Sequence, residues 1–187
     1  MTQVWQQWGD VLVASFLALP LMALVVLALT LWRRRRGMPA SLAWVRSLTE
    51  VGMVAGTVPW IWMILSPGSA PAEVHLVPLR DLTGQLSVGP VFATVQIGGN
   101  LLVFAALGFC APIRLAALAG PVRLFVLGAA GSAFVELLQY QLDLHRVSSV
   151  DDVLVNATGA MLAGLASRHW WATRSARPAA TPAMPRR

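Results

Sequence analysis

The chain opens on a long apolar run. From Val11 to Trp32 there are 22 residues without an Asp, Glu, Lys or Arg. As a helix rising about 1.5 Å per residue, the run reaches roughly 33 Å, enough to cross a bilayer core of about 30 Å. Pro20 lies inside it, and membrane helices tolerate an internal proline where neighbours satisfy the freed carbonyl. Arg33 to Arg36 end the run. Four further spans are predicted, over Leu48–Ser66, Val95–Ile113, Leu124–Leu142 and Val150–Ser167. Each approaches the roughly 20 residues that hydrocarbon thickness demands. The last three carry more polar residues, so they are expected to face one another more than lipid. The pattern predicts an all-α integral membrane bundle of about five transmembrane helices, with no repeat of fixed period.

Composition agrees. Of 187 residues, 57% are hydrophobic and only 12% charged, against about 25% charged in soluble domains. Mean hydropathy is +0.66. The net charge of +6 raises the question of nucleic acid. A nucleic-acid stripe needs a soluble scaffold, so that partner is set aside. All 14 basic residues are arginine, and their placement tells more than their sum. With the first helix leading inward, twelve arginines fall on the cytoplasmic side and only Arg80 and Arg146 outside. The positive-inside rule then predicts an outside N-terminus and a cytoplasmic C-terminus. Residues 1–10 contain no Lys or Arg, against a cleaved signal peptide. The single cysteine, Cys110, excludes an intramolecular disulfide framework and a Cys-rich metal site.

Three parts follow. Residues 1–47 hold the first helix and an Arg-rich link. Residues 48–168 form a four-helix core with an outer loop at 67–95, whose apolar stretch Val74–Leu79 is expected at the outer interface. Residues 169–187 read as a disordered cytoplasmic tail rich in Ala, Pro and Arg.

The polar residues of the core are not scattered. Gln96 and Asn100 in the third helix, Glu136, Gln139 and Tyr140 in the fourth, and Asp151, Asp152 and Asn156 in the fifth all fall at the outer end. Glu136 stands out, because an intramembrane carboxylate costs a few kcal/mol or more unless paired or neutral. Gly128, Ser132 and Glu136 share one face at four-residue spacing, and small residues there permit close helix approach. Arg146 is the natural charge partner of Glu136, and its fork also suits a phosphate. Ser148 or Ser149 followed by Asp151 or Asp152 is a helix N-cap pattern, so these acids serve either a cap or a site. Asn100 and Asn156 suit interhelical hydrogen bonds. Glu136, Asp152 and two asparagine carbonyls are hard oxygen ligands, yet no metal-ligand spacing, Gly-rich phosphate loop or Ser-His-Asp order is visible. No metal or cofactor is therefore expected. The candidate ligand-binding set is Asn100, Glu136, Gln139, Arg146, Asp151, Asp152 and Asn156, with Glu136 the candidate catalytic group.

The stretch Asn100-Leu-Leu-Val-Phe-Ala-Ala-Leu-Gly108 resembles a signature of the VanZ-like membrane protein family. So do Glu136-Leu-Leu-Gln139, Arg146, and Asp151-Asp152-Val-Leu-Val-Asn156-Ala-Thr-Gly159, with His75-Leu-Val-Pro78-Leu before them. The likeness runs from Val74 to Gly164. Ala106 departs from it, standing where the family usually has proline, which weakens the case for a kink in the third helix. The family is named for a protein of glycopeptide-resistance clusters that lowers susceptibility to teicoplanin. The resemblance implies a bacterial cytoplasmic-membrane protein of the cell envelope; it implies no reaction.

Three functions stay open. The first is binding without turnover of a membrane lipid, a lipid-linked envelope precursor or a lipoglycopeptide, in a polar pocket opening outward. The second is an enzyme acting on a lipid-linked or phosphorylated precursor, with Glu136 as general acid or base. A transporter ranks last, since five short spans leave little room for alternating access unless a homo-oligomer supplies it.

Overall fold

A computed structural model describes residues 2–69 and 73–171, with the side chains of residues 2–7 left aside. The described chain is an all-α bundle of seven helices, α1 (Thr2–Arg35), α2 (Ala40–Leu65), α3 (Arg80–Val88), α4 (Pro90–Val103), α5 (Ala105–Arg114), α6 (Pro121–Gln141) and α7 (Val150–Ala166). Two three-residue strands, β1 (Glu73–His75) and β2 (Val147–Ser149), pair in parallel. Four segments are long and apolar enough to cross a membrane: 8–35, α2, the nearly continuous α4–α5 stretch, and α6.

The fifth expected span is α7, and it differs from the others. Its 17 residues rise only about 25 Å, short of the hydrocarbon core. It packs on α4, α5 and α6 as the hub of the bundle. Small residues make that possible. A methyl at Gly159 would lie 2.0 Å from the Leu101 carbonyl oxygen, and one at Gly108 would lie 2.1 Å from that of Ala160. A methyl at Gly128 of α6 would lie 2.9 Å from the Ala157 Cα of α7, which bears out the small-residue face read from the sequence. Van der Waals contact between backbones, rather than large apolar side chains, holds this centre. A smaller cluster of Val103, Phe104 and Val135 lies beside it, covered by Trp60, Ile61 and Leu65.

By contrast, α1 packs chiefly on α2 and exposes Phe16, Leu17, Leu21 and Leu24. It runs unbroken through Pro20. Several boundaries move. The second helix begins at Ala40, not Leu48, because Arg46 and Glu50 continue it without interruption and Glu50 finds arginine partners. The division at 47/48 therefore falls inside α2. The loop at 67–95 contains β1, α3 and the first turn of α4, which starts at Pro90 directly after Gly89. The third span is interrupted at Phe104 although Ala106 replaces the proline. The interruption falls between the two backbone contacts with α7, at Leu101 and Gly108. Beyond Trp171, the expected tail lies outside the described residues.

The helices form two unlike ends. One collects the C-termini of α1, α5 and α7 with the N-termini of α2 and α6, and it holds most of the described arginines. Glu50 accepts from Arg114 Nε at 2.6 Å and from the Arg33 guanidinium, and Arg33 also donates to Ser47 at 2.7 Å. This staple joins α1, α2 and α5. The opposite end collects the C-termini of α2 and α6 and the N-termini of α4 and α7, with β1, β2 and α3 beside them.

Candidate functional site

A cavity of about 710 Å³ opens at that second end. Six of the seven expected residues line it: Asn100, Glu136, Gln139, Arg146, Asp152 and Asn156. Gln96 joins them. Apolar wall comes from Ile64, Val88, Phe92 and Val135.

Asp151 does not line it. Its side chain is 1% exposed and accepts from the backbone N–H groups of Leu79 (2.6 Å), Asp81 (2.9 Å) and Leu82 (3.1 Å). These are orphan donors of the α3 N-terminus, where a carboxylate also meets the positive end of the helix dipole. Leu79 sits at φ 67°, a region costly for a branched side chain, and Asp151 holds its N–H there. The N-cap expectation is met separately by Ser149, whose Oγ accepts from the Asp151 N–H at 3.2 Å.

Arg146 corrects a second expectation. Among the described residues it forms no ion pair with Glu136 or any other carboxylate. Its Nε donates to the Ser66 carbonyl at 2.8 Å and one terminal nitrogen to the Met63 carbonyl at 3.2 Å. Gln139 Nε2 donates to the Ile64 carbonyl at 2.9 Å. Both side chains thus satisfy carbonyls that the α2 C-terminus leaves without partners. The Arg146 guanidinium also lies 5.8 Å from the centre of the Trp8 ring. Burial draws the Arg146 pKa down, and the charge of Glu136 opposes that pull.

The remaining four residues are held more lightly. Asn100 Nδ2 donates to Asp152 Oδ1 at 2.5 Å, joining α4 to α7. Asn156 Nδ2 donates to Ser132 Oγ at 2.8 Å, joining α7 to α6. Both asparagines therefore are the interhelical pegs the sequence suggested. Asn156 Oδ1, however, is buried with no partner among the described residues. The Glu136 carboxylate accepts from the Ser149 backbone N–H at 3.2 Å.

Sequence reasoning missed one cluster. His75 Nδ1 lies 2.7 Å from Asp81 Oδ1, and Ser149 Oγ donates to Asp81 Oδ2. His75 Nε2 lies 3.1 Å from Glu73. The hydrogen bond to Asp81, then that to Glu73, raises the His75 pKa above its ordinary 6.5. Burial pushes Asp81 upward, but the bonds from Ser149 and His75 prevail and leave it below its ordinary 3.8. His75 and Ser149 are partners in the β1–β2 register, but both side chains bond to Asp81 and no hydrogen bond joins serine to histidine directly. The cluster is a clamp that ties β1 and α3 to the start of α7. Glu73 and Asp81 flanking His75 were a visible signal for part of it, but nothing in the spacing brought Ser149 near.

Fold and cavity together define a helical membrane protein with a polar chamber at one end of its bundle. A family model described as VanZ/LLP1 matches residues 53–171, and the chain belongs to that family. The match takes in the second half of α2 and all of α3 to α7, and it leaves out α1. No curated protein and no solved structure matches the chain.

Proposed function

We propose that this VanZ-like protein sits in a bacterial cytoplasmic membrane, arginine end inward and cavity end outward, and binds a lipid or lipid-linked envelope ligand there. The arginine distribution supports the orientation. One observation carries the binding reading. Two carboxylates, Glu136 and Asp152, line an open cavity that also has apolar wall, and neither has an arginine partner among the described residues. Carboxylates kept in such a place without a paired opposite charge mark functional positions. Binding of a lipoglycopeptide of the teicoplanin type, or of the precursor it targets, would connect the cavity to resistance. Native mass spectrometry in mild detergent tests the reading. The wild-type chain should retain lipid that Glu136→Gln and Asp152→Asn lose, and retention unchanged in both variants would sink it.

The weak tether on Glu136 also favours a second reading, in which that carboxylate exchanges a proton with a lipid-linked substrate. Purified protein with labelled membrane lipids would then yield a product that Glu136→Gln abolishes. An unchanged lipid profile would leave binding alone.

A further inference from the structure

The two buried side-chain atoms of the cavity lining that have no partner among the described residues are both acceptors. Asn156 is 4% exposed; its Nδ2 is committed to Ser132 while its Oδ1 has no partner among the described residues. Gln85 of α3 lines the same cavity and also has a buried Oε1 without a partner. Glu136 accepts from one N–H at 3.2 Å and Asp152 from one at 2.5 Å, where a carboxylate offers about four lone-pair sites. Arg146, a half-buried cation of the lining, turns its Nε and one terminal nitrogen to the carbonyls at the C-terminal end of α2.

We infer that the cavity selects a primary ammonium group carried by a membrane amphiphile, with Glu136, Asp152 and Asn156 Oδ1 as its acceptors. The inference rests on the lipid-binding reading above and narrows it. Two carboxylates lining one cavity repel each other, and a cation between them relieves that cost. A primary ammonium brings three N–H donors in addition to its charge, which matches the three acceptors. A quaternary ammonium brings charge without donors and would leave Asn156 Oδ1 unsatisfied. A divalent metal fits less well. Calcium and magnesium take about six or more oxygen ligands, and the described residues hold no group of three or more His, Cys, Asp or Glu placed to bind one. Val88 and Phe92 offer apolar surface to the amphiphile's tail, and Arg80, exposed on α3 beside the cavity, suits a phosphate linking tail to headgroup.

The test offers the full chain, in mild detergent, equal amounts of phosphatidylethanolamine, phosphatidylcholine and phosphatidylglycerol with matched acyl chains. Native mass spectrometry should find phosphatidylethanolamine retained about tenfold over either competitor, a difference of about 1.4 kcal/mol. The double variant Glu136→Gln with Asp152→Asn should lose that preference. On the wild-type chain alone, stepwise N-methylation of phosphatidylethanolamine should weaken retention at each methyl. Equal retention of the three lipids, preference for phosphatidylglycerol, or displacement by equimolar magnesium would overturn the ammonium inference and leave a lipid cavity standing. Retention of no lipid by the wild-type chain would overturn both.

Discussion

The two ends of the bundle use charge differently. At the arginine end, Glu50 sits between Arg33 and Arg114, so these three groups meet an opposite charge and three helices are joined. At the cavity end the charges sort into two kinds. Asp151 and Arg146 are fully engaged, but with backbone groups at helix termini rather than with each other. Glu136 and Asp152 hold one hydrogen bond each and face an open chamber. The difference teaches that an ionised group near a membrane span is not a site by virtue of its charge. Its partners decide, and the two carboxylates that line the cavity, Glu136 and Asp152, have no opposite charge paired with them among the described residues.

That sorting can be broken by substitution, and the largest effect is expected at Asp151. Asp151→Ala leaves three N–H groups of α3 without their acceptor, at a cost of about 3–5 kcal/mol. Thermal unfolding in detergent should show it. A loss under about 1 kcal/mol would return Asp151 to the candidates for ligand binding.

Next in size is Glu50→Ala, which leaves Arg33 and Arg114 facing each other. The groups are only partly buried, so about 1–3 kcal/mol is expected, between the values for surface and buried pairs. High salt should narrow the gap between variant and wild type. Should Glu50→Ala unfold no earlier than wild type, the arginine end would not be the structural staple described.

A third effect is local. The raised pKa of His75 means that its contribution is fully present below the ordinary value of 6.5 and is lost as pH rises through the higher folded value. The lowered pKa of Asp81 works in the other direction: its contribution is present above 3.8 and is lost as pH falls through the lower folded value. The clamp is therefore tightest in the mildly acidic range between them. Hydrogen exchange in β1 and α3 should quicken, beyond the intrinsic base-catalysed trend, as pH is raised above about 7, and His75→Gln should remove that excess.

The smallest expected stability effect belongs to Glu136→Gln, at under about 1 kcal/mol, because the amide oxygen keeps the one N–H of Ser149.

Much of this arrangement was legible in the chain and some was not. The apolar runs located α1, α2, α4–α5 and α6, and the shared outer placement of Asn100, Glu136, Asp152 and Asn156 marked the cavity before its geometry was known. Periodicity reads which residues share a helix face. It does not read which distant helix terminus lacks partners. Sequence therefore pairs Arg146 with Glu136, the acid set within a span ten residues before it. The carbonyls it meets lie 80 and 83 residues away. The same blindness hid the role of Asp151, whose acceptor bonds reach back 69 to 72 residues. The run of α7 read as one more full membrane span, though one facing its neighbours more than lipid. Its Ala and Gly content draws three helices onto it, as that reading expected, but its 17 residues stop short of a full crossing.

One paired measurement bears most directly on the division between charges that hold the fold and charges kept for a ligand. It is the unfolding temperature and the retained lipid of Glu136→Gln with Asp152→Asn, taken on the same purified sample beside wild type and Glu50→Ala. The double variant should unfold within about 3 °C of wild type while losing its lipid, and Glu50→Ala should unfold earlier while keeping it. A double variant that unfolds as early as Glu50→Ala and still carries its lipid would show that Glu136 and Asp152 serve the fold instead.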